Sequence, residues 1–155
     1  SWIDELKPRR LLDLFCGVGG FSLSLAPVCE SVTGIELSEA AIESAAISAK
    51  RMGLESKVRF IARDATAALR AMAVSQFDCV VVNPPRRGLS TELREDLAAL
   101  NPDTILYSSC NPETFARDVA AWQGRFKLYR AALFDMFPLT EHCEVLGLLR
   151  KTENG

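Results

Sequence analysis

Short apolar runs alternate along the chain with segments of helical period, and a turn marked by Gly, Pro or Ser separates each pair. RLLDLFC (10–16) reads as a buried strand, after which Gly17 to Gly20 turn the chain into a helix beginning at Phe21 to Ala26. SVTGIEL (31–37) is a second strand. Ser38 is suited to an N-cap and Glu39 to a first turn, so a helix runs from there to about Met52, with Gly53 ending it. KVRFIA (57–62) is a third strand, and Asp64 opens a short Ala-rich helix. FDCVVVN (77–83) is a fourth, apolar without a break, as in a parallel strand covered on both faces. Thr91 to Leu100 is helical, DTILYSS (103–109) is a fifth strand, and Pro112 to Trp122 a further helix. RFKLYRAALF (125–134) and CEVLGLLRK (143–151) follow with no helical segment between them, so they should form an antiparallel hairpin.

Five βα units and a terminal hairpin predict an α/β fold: a Rossmann-like, doubly wound, mostly parallel sheet ending in antiparallel strands. Ligands of such sheets bind beyond the carboxyl ends of the strands. The residues at those ends are therefore the candidates for chemistry.

After strand one comes DLFCGVGGF (13–21), whose glycines allow a tight turn and close approach of backbone to a ligand. A turn that only packs helix against strand would read the same. After strand two, Glu36 suits bidentate hydrogen bonding to ribose hydroxyls, or is a solvated acid. After strand three, Asp64 can accept from an adenine amino group or cap its helix, and the two roles can coexist. After strand four, NPPRRG (83–88) holds Asn83 at a fixed place behind two prolines and supplies Arg86 and Arg87, cations suited to phosphate. After strand five, SSCNP (108–112) puts Cys110 ahead of a helix N-terminus, where the dipole and free N–H groups favour an anion. Glu144, inside the apolar run of the last strand, reads as a general base or as an edge-strand acid facing water. DMFPLTEH (135–142) would arch over the same crevice, and His142 reads as a loop residue rather than a ligand.

The 155 residues suit one domain, and 48% hydrophobic with 25% charged residues is an ordinary globular balance. No apolar run reaches the ~20 residues of a membrane span, and no signal peptide is evident. The five cysteines, Cys16, Cys29, Cys79, Cys110 and Cys143, are scattered without a C-x-x-C pair. That argues against a zinc site, any other metal in this domain and a disulfide framework, and for a reducing, cytoplasmic setting. Apart from Cys110, they read as small buried hydrophobes. A net charge of −2 is unlike a free-standing RNA binder. Either the substrate is not nucleic acid or another segment does most of the gripping.

Together, DLFCGVGGF, GIELS, NPPRRG, SSCNP and HCEVLGLL resemble the catalytic domain of the RNA 5-methyluridine methyltransferases, in particular the bacterial 23S ribosomal RNA uracil methyltransferases. The likeness runs from Leu11 to Leu149. It implies S-adenosylmethionine (SAM) as cofactor and an unpaired or flipped-out uridine, in 23S rRNA, as substrate. It implies that Phe15 and Gly17 contact SAM, Glu36 holds its ribose, Asp64 lies by the adenine, and Asn83 meets the methionine end or the uracil. Cys110 would be the nucleophile and Glu144 the base. It further implies that residues 1–155 are a single catalytic domain, a C-terminal fragment of a longer protein. The N-terminal region of such proteins sometimes carries an iron–sulfur cluster held by clustered cysteines, and often a small β-barrel for RNA.

Three other readings stay open. A DNA cytosine carbon-5 methyltransferase shares the opening motif but places its cysteine after strand four. An amino-group methyltransferase also uses N-P-P, yet follows it with an aromatic, where this chain has Arg86. A SAM-binding fold kept only for interaction would need neither Cys110 nor Glu144.

Overall fold

The computed structural model describes residues 2, 6–74, 76–135 and 143–153, with the backbone alone at 135. Its parallel strands are β1 (Arg10–Leu14), β2 (Ser31–Glu36), β3 (Val58–Ala62), β4 (Cys79–Val82) and β5 (Thr104–Ser109). The helices between them are α1 (Gly20–Leu25, continued by a 3₁₀ turn Ala26–Val28), α2 (Glu39–Arg51), α3 (Ala65–Arg70), α4 (Thr91–Leu100) and α5 (Pro112–Ala121). β6 (Phe126–Asp135) and β7 (Cys143–Lys151) close the fold.

These strands form one seven-stranded sheet in the order β3-β2-β1-β4-β5-β7-β6. The first five are parallel, while β7 runs antiparallel to both β5 and β6. The chain winds outward from β1 to β3, then returns to β1's other side with β4. This leaves a topological switch point between β1 and β4, where such folds open a ligand crevice.

Alternation along the strands decides the two faces. Leu12 and Leu14, with Val80, Val82, Ile105 and Tyr107, pack under Leu69, Leu93, Leu97, Phe115 and Trp122. Leu11, Val81, Leu106 and Leu148 pack on the opposite side with Leu25, Ala26 and Val58. A period of two in apolar strands thus supplies both cores. Among the described residues, no helix is long and apolar enough to cross a membrane.

The expected elements are present with shorter strand ends. β1 stops at Leu14 because Phe15 turns left-handed (φ 60°). β4 begins at Cys79; just before it, the Asp78 carboxylate accepts from the Arg9 and Arg10 N–H groups (2.9 Å each). β7 is interior to the sheet, so the edge-strand reading of Glu144 is excluded. Residues 136–142, including His142 and most of the expected arch, lie outside the described residues.

Candidate active site

The carboxyl ends of β1 to β4 enclose a cleft of about 420 Å³, lined among others by Phe15, Glu36, Arg63, Asp64, Asn83 and Arg87. Four of the five residues expected to hold a cofactor share this cleft, and the fifth, Gly17, is tied to it. The Gly17 N–H donates to Glu36 Oε2 (3.2 Å), and the Ser38 N–H donates to Oε1 (3.0 Å). Each oxygen keeps a second lone pair for a ligand hydroxyl. Asp64 caps α3, accepting at Oδ1 from the Ala67 N–H (3.0 Å), and still lines the cleft. The cap expected of Asp64 is therefore present, and the cap leaves its side chain at the cleft.

The glycine turn divides its work. A Cβ on Gly17 would meet nothing within 4 Å, so it is the left-handed φ of 52°, not crowding, that favours glycine there. A Cβ on Gly19 (φ 87°) would come within 2.9 Å of the Phe60 ring and 3.3 Å of Ala45, so this glycine serves helix packing. Phe15 holds its left-handed conformation without being glycine, at a cost of roughly 1–3 kcal/mol. Its ring lines the cleft and packs on the core below. Behind the turn, Asp13 is fully buried and accepts the Ser22 N–H (2.9 Å) and hydroxyl (2.6 Å) at one oxygen. Burial pushes its carboxyl up to about 6, against the lowering by these Ser22 bonds.

The second group of residues lies beyond β5. Cys110 is exposed and sits between the end of β5 and α5. Ser109 Oγ bonds back across it, accepting from the Asn111 N–H (3.1 Å) and meeting the Asn111 carbonyl (3.0 Å). Asn111 caps α5, accepting from the N–H groups of Glu113 (3.0 Å) and Thr114 (3.5 Å). The expectation of free N–H groups around Cys110 is thus corrected at these two, because the asparagine consumes them. Glu144 is half-buried on β7 and accepts a hydrogen bond from the Ser108 hydroxyl.

The NPPRRG segment is fastened to α5. Asn111 Nδ2 and Thr114 Oγ1 donate to the Arg86 carbonyl (3.3 Å each), and Arg117 donates to the Arg87 carbonyl (3.0 Å). Beneath them, fully buried Asp118 accepts from the Leu89 N–H (2.8 Å), Tyr107 OH (2.7 Å), Arg94 (2.7 Å) and Arg117 (2.8 Å). Burial would raise this carboxyl, but those hydrogen bonds hold it below its ordinary range. A Cβ on Gly88 (φ 77°) would fall 2.6 Å from Asp118, so only glycine admits the approach.

Sequence reasoning missed Arg63, Ser108 as a partner of Glu144, and Asp118. Asp118 had a signal: with Phe115 and Trp122 it falls on the apolar stripe of an amphipathic helix. Of the other cysteines, Cys16, Cys29 and Cys79 are buried, and burial pushes the Cys16 thiol up to about 12 and Cys29 to about 11. Cys143, expected to be buried, is only partly so, since it opens β7 at the sheet's end.

The sheet order and the strand-end cleft define the class, a doubly wound fold shared with methyltransferases. N-methyltransferase NodS of Bradyrhizobium japonicum superposes with a TM-score of 0.75 over 98% of this chain and 93% of its own at 20% identity, a likeness of fold alone. The profile of the tRNA (uracil-5-)-methyltransferase family matches residues 2–152, and the chain belongs to that family. The 23S rRNA (uracil(747)-C(5))-methyltransferase RlmC of Shewanella halifaxensis is 50% identical over 152 residues, covering 97% of this chain and 40% of that protein. RlmC of Vibrio vulnificus is 49% identical over 149 residues, covering 96% and 39%. The tRNA (uracil-54, C5)-methyltransferase of Pyrococcus abyssi, in complex with S-adenosyl-L-homocysteine, superposes with a TM-score of 0.81 and 34% identity over 96% of this chain and 37% of that one. The chain thus spans about 40% of the length of the relatives it matches.

Proposed function

We propose that this chain is the catalytic domain of a SAM-dependent enzyme that methylates carbon 5 of a uridine in RNA, through a covalent bond between Cys110 and carbon 6. The relatives' names favour 23S rRNA, and uracil 747 within it, as the target. The observation carrying the reading is that Cys110 is the exposed thiol of the five, directly after the carboxyl end of β5, while Glu144 directly precedes Val145, the β7 residue that pairs with Ser109 at that end.

SAM fits the β1–β4 cleft by its chemistry: Glu36 oxygens for ribose hydroxyls, Asp64 for an adenine amino group, and Gly17 for close backbone approach, with Asn83 beside them. When bound it supplies an electrophilic methyl on its sulfonium. Carbon 5 of uracil is a poor nucleophile until the Cys110 thiolate adds to carbon 6 and makes it electron-rich. Once carbon 5 is methylated, Glu144 removes its proton. The electron pair of that C–H bond forms the C5–C6 double bond, and the sulfur leaves carbon 6 with its own pair. A base here is worth about 10²- to 10⁴-fold. A uridine in a duplex is unreachable, so the target must be unpaired or flipped out. The net charge of −2 supplies little phosphate attraction, so other parts of the full-length protein carry much of the RNA affinity.

One gel tests this, using the full-length protein, methyl-labelled SAM and a 23S rRNA transcript containing the uridine. Cys110→Ala forms no adduct. Glu144→Gln attacks and transfers the methyl, then stalls as a labelled adduct that survives denaturation. Full methylation by Cys110→Ala would overturn the assignment in favour of amino-group methylation. Normal turnover by Glu144→Gln would move the base elsewhere.

A further inference from the structure

The geometry points to Ser108 as a positioning residue for Glu144: it holds one carboxylate oxygen so that the other faces the proton on carbon 5. This rests on the reading of Glu144 as the base.

Ser108 is buried, 4% exposed, and its hydroxyl donates to Glu144 Oε1. An ionised carboxylate only accepts, so the direction of this bond is fixed while Glu144 is a base. Among the described residues the hydroxyl has no other partner and Oε2 accepts nothing. Among the described residues, then, one oxygen is occupied and the other is left to act. When Oε2 takes a proton, Oε1 still accepts from Ser108, so the bond survives the transfer without rearrangement.

The placement comes from strand register. Ser108 of β5 pairs with Leu146 of β7, and Glu144 lies two residues back on β7, hence on the same face. Both strands are interior, and six residue pairs join them. Ser108 is also two residues before Cys110, which directly follows the end of β5. The hydroxyl thus ties the base to the element that ends at the nucleophile, fixing side-chain torsions that a glutamate would otherwise leave free.

Attack on carbon 6 and methyl transfer make no use of Glu144, and elimination does. Loss of Ser108 should therefore leave the first two steps intact and slow the third. In the full-length protein, with methyl-labelled SAM and the same transcript, Ser108→Ala should transfer methyl in a single turnover within about twofold of wild type. Its multiple turnover should fall about tenfold, the worth of one hydrogen bond to a charged group, and the methylated adduct should accumulate. Ser108→Thr keeps a hydroxyl and should turn over faster than Ser108→Ala. Wild-type turnover by Ser108→Ala, beside a stalled Glu144→Gln, overturns the inference and leaves the base in place. A methyl-transfer rate that drops as far as turnover also overturns it, as the mark of a merely structural serine. Normal turnover by Glu144→Gln overturns the underlying reading instead.

Discussion

Asp13 on β1 and Asp118 on α5 both have no exposed surface, yet their surroundings differ in what sets a carboxyl's charge. Asp13 is met only by Ser22, and among the described residues its Oδ1 is the one buried side-chain polar atom without a hydrogen-bond partner. Asp118 is met by two guanidinium groups, a phenol and a backbone N–H. Burial therefore wins at Asp13, whose carboxyl rises to about 6, while the donors win at Asp118, which falls below its usual range. The difference extends to the halves they support. The β1–β3 half holds its cleft with backbone turns and helix caps. The β4–β7 half holds Cys110 and Glu144 through side chains reaching between elements.

Asp118→Ala should be the most damaging change, costing about 3–5 kcal/mol because it strands Arg94 and the Tyr107 hydroxyl. Denaturant unfolding measures it, and a loss below about 1 kcal/mol would break the contrast. Because the folded-state carboxyl is lowered, its contribution is present above about pH 4 and fades as pH falls below that.

Asp13 should show the opposite sign. Its folded-state value is raised from 3.8 to about 6, so its contribution is full below about 3.8 and lost as pH rises through 6, a swing of roughly 3 kcal/mol. The stability of wild type relative to Asp13→Asn should therefore decline across that window. A flat difference from pH 3 to 7 would contradict the burial argument.

Smaller effects separate the halves functionally. Glu36→Ala should weaken SAM binding by calorimetry by about 1.5–3 kcal/mol, the worth of hydrogen bonds to a charged group. Unchanged affinity would remove Glu36 from the cofactor site. Smallest should be Cys29→Ala and Cys79→Ala, at about 1 kcal/mol of stability with adduct formation intact. Loss of adduct in either, in a protein that still folds, would undo the distinction between Cys110 and the buried thiols.

The two halves were also unequally legible. Glu36, Asp64 and the glycine turn announce themselves locally, by strand end, cap and spacing; the two acids line the cleft, and Gly17 is tied to it through Glu36. Phe15's left-handed turn could not be read, since nothing in a phenylalanine favours φ 60°. On the other side, Ser108 and Glu144 are 36 residues apart, and Asp118 and Leu89 are 29 apart. Their meeting depends on β7 entering the sheet beside β5. The hairpin pattern of β6 and β7 gave no sign of which strand would lie next to β5. Hydrophobic period fixes which face a residue takes, but not its neighbour across a non-local pairing.

The proposed covalent role of Cys110 is tested most directly with RNA carrying 5-fluorouridine at the target. Fluorine at carbon 5 cannot leave as a proton does, so elimination is blocked and any adduct is trapped. Incubated with SAM, the full-length protein should form a complex stable to denaturation, and mass mapping of the methylated adduct should place the nucleotide on Cys110. A protein that methylates ordinary uridine RNA but traps no adduct, or carries it on another residue, would contradict the mechanism.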